Sequence, residues 1–130
     1  MSALKLDPFY PVLPDASWVA RIASQGAKFI QLRVKDIEPQ AVKTEIARAL
    51  EFASAHGCQL VVNDYWREAI DLGADFVHLG QSDLVGVDKQ REVIEMLFEH
   101  PIKLIASALG SPPAWMIEQG RAKGVKVAAL

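Results

Sequence analysis

Residues suited to phosphate and metal chemistry fall at a few closely spaced positions in this chain. Gln31, Arg33 and Lys35 stand two apart in FIQLRVKD (29–36). Asn63 and Asp64 follow directly on the apolar pair Val61 and Val62 in VVNDYW (61–66). His78, Gln81 and Asp83 share FVHLGQSD (76–83), and Ser107 stands in IASAL (105–109). An arginine fork and a lysine point charge match phosphate oxygens. Two hard carboxylates, Asp64 and Asp83, beside such cations are a common way to hold Mg²⁺ against a diphosphate. Gln31, Asn63 and His78 can orient a polar heteroaromatic ring. Together the residue types point to metal-assisted departure of pyrophosphate rather than to nucleophilic or cysteine-based catalysis.

Each residue also has a plainer role open to it. Arg33 and Lys35 can form a solvated strand edge. Asp64 can cap a helix beginning near Tyr65. Asp83 suits a turn, His78 can be a hydrogen-bonded structural histidine, and Ser107 by itself signals nothing. His56 and His100 stand at helix ends, where an imidazole meets the negative end of the dipole. Trp18, Trp66 and Trp115 read as helix-to-sheet packing. Cys58 reads as a small buried hydrophobe at the start of a strand.

The elements that must position these residues follow from periodicity. Helical patterns run over 15–26, with Asp15 or Ser17 as N-cap, over 38–57, 65–73, 88–100 and 112–124. Pro39 and the pair Pro112–Pro113 stand in first turns, and Gly26 and Gly57 close two of the helices. Between them lie short apolar runs at 9–14, 27–34, 58–63, 74–80, 102–109 and 125–130 that read as strands. This alternation predicts βαβ units around a parallel sheet of about six strands and five helices. Right-handed crossovers then place every strand's C-terminal end on one face. The polar residues collect at those ends, where parallel α/β proteins bind ligands. The two-residue spacing of Gln31, Arg33 and Lys35 puts them on one strand face. No strand carries a G-x-G-x-x-G turn, so a dinucleotide fold has no support. The pattern fits either a complete six-strand sheet or a barrel lacking its last part, whose open strand edge is a liability unless paired.

Composition bounds the remaining possibilities. The chain has 130 residues, 51% of them hydrophobic, and a formal net charge of -2. That suits one domain with a sizeable core. The near-neutral charge argues against a nucleic-acid partner, and no apolar run reaches membrane-spanning length. The N-terminus shows no signal peptide, and with a single cysteine a reducing cytoplasm is the expected compartment.

FIQLRVKD (29–36) and QLVVNDYWREAIDLGADFVHLGQSDL (59–84) are also familiar as sequences. Together with the stretch from DPFYPVLPD onward, they resemble the thiamine phosphate synthase family over roughly residues 7–86. The Q-x-R-x-K, N-D and V-H-L-G-Q-x-D elements carry the likeness as an ordered set. The resemblance implies a (β/α)8 barrel that joins hydroxymethylpyrimidine diphosphate to a thiazole phosphate with Mg²⁺ and releases pyrophosphate. Gln31, Arg33, Lys35 and Asn63 would contact the pyrimidine diphosphate, and His78 and Gln81 would line the pyrimidine pocket. Asp64 and Asp83 would bind Mg²⁺. Ser107 would sit on the pyrophosphate, with Arg33 and Lys35 sharing the catalytic work. The implied fold is an incomplete TIM barrel in a single domain.

The chain departs from that pattern in places. Tyr65 stands where the family usually has arginine, Phe76 where it has glycine, and Leu109 where it has histidine. The family's thiazole phosphate site and a further lysine belong to later strands, which this sequence does not include. Residues 92–130, above all SALGSPP followed by GVKVAAL, resemble nitronate monooxygenase, an FMN-dependent barrel. A join near 85–91 is therefore expected, with an FMN-linked fragment as one alternative function. A non-catalytic barrel fragment that binds phosphate or assembles as a homo-oligomer, such as a dimer, is another.

Overall fold

Strands and helices alternate strictly along the chain, as the periodicity predicts. The computed structural model describes residues 6–79, 87–107 and 114–129. Within them the order is β1 (Val12–Leu13), α1 (Ala16–Ser24), β2 (Phe29–Leu32), α2 (Pro39–Ala55), β3 (Gln59–Asn63) and α3 (Trp66–Asp71). It continues with β4 (Phe76–Leu79), α4 (Val87–Phe98), β5 (Leu104–Ser107), α5 (Ala114–Lys123) and β6 (Lys126–Ala129). Backbone contacts divide the chain into two compact units, Met1–Asn63 and Asp64–Leu130.

In the first unit β1, β2 and β3 form a parallel ladder. Val12 pairs with Gln31, and Gln31 with Val61. All four residues of β2 are buried, as are Leu60 to Asn63 of β3. Burial on both faces is the usual condition of a parallel strand, and it explains why 29–32 and 60–62 read as continuous apolar runs broken only by Gln31. Two helices seal the ladder. In α2, Val42, Ile46, Ala49 and Ala53 form the buried stripe at helical spacing. Leu50 and Phe52 stand beside it, half-buried, with the Arg48 guanidinium 5.9 Å from the Phe52 ring centroid.

Asp15 rather than Ser17 caps α1. Its carboxylate accepts the Trp18 N–H at 2.8 Å. Glu45 of α2 accepts the Ala16 N–H at 2.6 Å. Two carboxylates thus satisfy amides that the first helical turn leaves without partners. Trp18 departs from the packing expected of it, being 42% exposed with Arg21 5.0 Å from its ring centroid. The inward stripe of α1 is Ala16, Val19 and Ala23, and the indole lies off that stripe. Trp66 is buried as expected, and Trp115 is half-buried beneath Arg91, 4.5 Å from its ring centroid.

In the second unit β4, β5 and β6 form a second parallel ladder, with His78 opposite Ala106 and Ala106 opposite Ala128. Every residue of β4 is buried. The expected proline turn at 112–113 lies outside the described residues. The close packing of α5 on β6 turns on Gly120. A Cβ built there would lie 2.8 Å from both the Val125 carbonyl oxygen and Val127 Cγ2, while the Val125 N–H donates to the Gly120 carbonyl at 2.7 Å. Among the described residues no helix is long and apolar enough to cross a membrane.

Alanine normally stabilises a helix interior relative to glycine by roughly 0.5–1 kcal/mol. At position 120 the sign should reverse. Overpacking against backbone costs about 1–3 kcal/mol, so Gly120→Ala is expected to lower the urea midpoint. A midpoint equal to or above the parent's would show that α5 and β6 are not in this contact.

Candidate active site

The candidate residues of the first unit leave the C-terminal ends of β2 and β3. Leu32 pairs with Val62, so Arg33 and Asn63 each stand one residue beyond a paired position, at the same level of the ladder. Gln31 and Asn63 are buried, whereas Arg33 and Lys35 are exposed on either side of buried Val34. The strand is shorter than its predicted range, ending at Leu32. Pairing persists one step further, because the Arg33 N–H donates to the Leu13 carbonyl at 2.9 Å. The alternation of buried and exposed residues from 33 to 35 is that of extended chain. Both cations are thus delivered to solvent while the Gln31 amide is held inside.

Gln31 is fixed at two points. Its backbone N–H donates to the Pro11 carbonyl at 2.9 Å. Its side-chain Nε2 donates to the Tyr10 hydroxyl at 2.7 Å. Tyr10 stacks on Phe29 with ring centroids 4.3 Å apart and an interplanar angle of 19°. Burial pushes the Tyr10 phenol above its ordinary pKa, an effect the Gln31 hydrogen bond partly opposes. Sequence reasoning passed over Tyr10 as part of the apolar run 9–14. The only hint was a polar tip on an aromatic ring, which when buried usually finds a partner.

The second unit presents Asp64, His78 and Ser107. The Asp64 N–H donates to the His78 carbonyl at 3.1 Å, and Leu79 pairs with Ser107. His78 is buried and Asp64 half-buried. Gln81 and Asp83 lie outside the described residues. Asp64 is not the N-cap of α3, a position taken by Tyr65, which makes no side-chain capping bond. Tyr65 instead centres a tight turn. With φ -84° and ψ 53° it has the form of an inverse γ-turn, closed by the Trp66 N–H donating to the Asp64 carbonyl at 2.9 Å.

Asp64 itself is left-handed, at φ 66°. Among the described residues Asp36, at φ 58°, is the only other non-glycine with positive φ. One follows β2 and the other β3, so the loops leaving these two strands each carry a locally strained residue. Such strain is characteristic of positions whose geometry matters to function, and aspartate tolerates it better than most residues.

Among the described residues no group of three or more histidine, cysteine, aspartate or glutamate side chains is arranged to hold a metal. Mg²⁺ does not need such a cage. It usually keeps several waters and takes one or two carboxylates together with substrate phosphates, and Asp64 provides a hard oxygen donor of that kind. Elsewhere, an open cleft of about 410 Å³ is lined by Leu6, Asp7, Pro8, Lys28, Gly57 and Gln59. It lies at the starts of β2 and β3, the end remote from the candidate residues. Nearby Cys58 is buried, and burial raises its thiol pKa against the opposing charge of Lys28. A raised pKa makes it a poor nucleophile at neutral pH, in keeping with its reading as a packed hydrophobe.

Parallel strands alternating with helices define an α/β protein. The chain is similar over 92% of its length to the structure of a thiamine phosphate pyrophosphorylase from Pyrococcus furiosus. That match has a TM-score of 0.62 and 19% identity, and it covers 57% of that structure. The fold is therefore the incomplete (β/α)8 barrel that the sequence led us to expect. The family model for thiamine monophosphate synthase matches residues 11–98. The thiamine-phosphate synthase of Rhizobium etli is 49% identical over 85 residues, covering 65% of this chain and 42% of the relative. That of Neisseria gonorrhoeae is 46% identical over 80 residues, covering 62% and 39%. The chain belongs to the thiamine monophosphate synthase family, and it spans less than half the length of these relatives. The family match runs through Phe98, the last residue of α4, beyond the stretch 85–91 where a join was expected.

The strain at Asp64 can be measured apart from any chemistry of its carboxylate. Asp64→Gly and Asp64→Ala both remove the carboxylate, so the difference between them isolates the backbone. A left-handed alanine costs roughly 1–2 kcal/mol, and the glycine variant should be more stable than the alanine variant by about that much in urea unfolding. Equal stabilities would show that residue 64 is not left-handed in solution.

Proposed function

We propose that this chain carries the pyrimidine-diphosphate-binding part of a thiamine phosphate synthase. The reaction joins hydroxymethylpyrimidine diphosphate to a thiazole phosphate. The observation that carries this reading is that Arg33 leaves β2 level with Asn63 at the end of β3, with Lys35 two residues further on and Gln31 buried two residues before. That places cations in water and amides at the buried edge, an arrangement matched to a ligand with a charged diphosphate and a polar aromatic ring.

The chemistry is dissociative. The carbon–oxygen bond to the diphosphate breaks, its electron pair leaves with pyrophosphate, and a pyrimidine carbocation remains. The thiazole nitrogen then donates its lone pair to that carbon. Little covalent work falls to the protein, whose contribution is position and charge. Arg33 and Lys35 stabilise the negative charge that grows on the departing pyrophosphate, with Ser107 at the end of β5 as a further hydrogen-bonding group. Gln31, Asn63, His78 and Gln81 hold the ring. Asp64 and Asp83 are the residues that would hold Mg²⁺, which when bound neutralises diphosphate charge. The resemblance of residues 7–86 to the family and the family match over 11–98 both support these assignments. The reaction uses small, water-borne substrates and needs no disulfide, which suits the reducing cytoplasm expected from the lone Cys58.

Calorimetric titration of the chain with hydroxymethylpyrimidine diphosphate tests this reading. Binding is expected with Mg²⁺ and should weaken at least tenfold when the metal is chelated. Asp64→Gly should bind weakly whether or not Mg²⁺ is present. No heat from the parent chain in Mg²⁺ would rule out the reading, and an unaltered metal dependence in Asp64→Gly would remove Asp64 from the metal site.

A further inference from the structure

We infer that Tyr10 is a positioning residue, whose hydroxyl occupies one N–H of the Gln31 amide and so presents the amide's remaining donor–acceptor edge to an aminopyrimidine. The inference rests on the pyrimidine-diphosphate reading above and adds to it the means by which the ring is recognised. A glutamine amide carries two N–H donors and one carbonyl acceptor. The N–H and C=O that lie side by side form a two-point edge complementary to an exocyclic amine next to a ring nitrogen, the pairing by which glutamine reads adenine. An aminopyrimidine offers the same edge. The terminal torsion of glutamine is soft, so an untethered amide samples orientations that present the wrong groups.

Tyr10 removes that freedom. The Gln31 Nε2 lies 2.7 Å from its hydroxyl oxygen, so one of the two amide N–H groups is already taken. The phenol cannot easily swing away, because its ring stacks on Phe29 at 4.3 Å. The next residue, Pro11, accepts the backbone N–H of Gln31 at 2.9 Å, which locks the two segments together at the same point. Gln31 is itself buried, so loss of the tether is poorly replaced by solvent. A phenol is neutral at physiological pH, and burial pushes the pKa of Tyr10 higher still. Its two lone pairs then accept from Gln31 while its own proton remains available as a donor.

A double-mutant cycle separates this role from simple packing. Tyr10→Phe keeps the stacked ring and removes only the hydroxyl. Affinities of the parent, Tyr10→Phe, Gln31→Ala and the double variant are measured by calorimetry with Mg²⁺, once for hydroxymethylpyrimidine diphosphate and once for inorganic pyrophosphate. Tyr10→Phe should weaken the pyrimidine diphosphate about tenfold and leave pyrophosphate within twofold. In the Gln31→Ala background, removing the hydroxyl should have no further effect. An unchanged ratio of the two affinities in Tyr10→Phe, or an equal loss in the Gln31→Ala background, would overturn the positioning role. If the parent binds pyrophosphate but not the pyrimidine diphosphate, the parent reading itself fails, a result distinct from either of these. Should Tyr10→Phe not fold, the Gln31 side-chain amide resonances of the parent give a second reading. Slow hydrogen exchange of one Nε2 proton at neutral pH supports the tether, and fast exchange of both overturns it.

Discussion

Burial of the parallel strands on both faces is the constraint from which the rest of this structure follows. A strand covered above and below has no face on which to keep a charge, because an unpaired buried charge is far too costly. Arg33 and Lys35 therefore come after Leu32, where the ladder gives out, and Asp64 comes after Asn63. Among the described residues the buried polar side chains are Gln31, Asn63 and His78. Each is a group whose burial must be compensated by hydrogen bonds, and Gln31 shows how. Its backbone and its side chain are both tied to the segment just before β1.

The same constraint accounts for the strained loops. A chain leaving a buried strand for a helix on its outer face has few residues in which to turn. Left-handed Asp36 and Asp64 make that turn, and at Asp64 a second tight turn centred on Tyr65 follows at once. The Tyr65 backbone is committed to starting α3, whichever side chain it bears. Position 64 thus combines a carboxylate at a strand end with a backbone geometry that a glycine would adopt more easily.

Much of this was legible in the sequence, for physical reasons that differ by residue. The alternation of elements was readable because strand burial leaves apolar runs and helix amphipathicity leaves a 3.6-residue rhythm. Val42 and Ile46 declared α2 in this way, and Asp15 announced the start of α1. Strand ends were less legible. The pattern AKFIQLRV suggested a strand from 27 to 34, whereas pairing confines β2 to Phe29–Leu32, because extended chain continues past the last ladder partner without any change in residue type. Trp18 misled because a large apolar side chain signals burial on average, whereas its place around α1 lies off the inward stripe of Ala16, Val19 and Ala23. Tyr10 was hidden for the opposite reason. Its partner is 21 residues away in sequence, and no local periodicity encodes a hydrogen bond between the entry to one strand and the middle of the next.

The central claim is that ligand recognition belongs to the C-terminal ends of the strands and not to their starts. Backbone amide chemical shifts of the isotopically labelled chain, followed while hydroxymethylpyrimidine diphosphate and Mg²⁺ are added, test it most directly. The account predicts saturable shifts at Gln31, Arg33, Lys35, Asn63, Asp64 and His78, and none at Lys28, Gln59, Asp75 and Lys103. Shifts confined to that second group, at the starts of the strands, would contradict it.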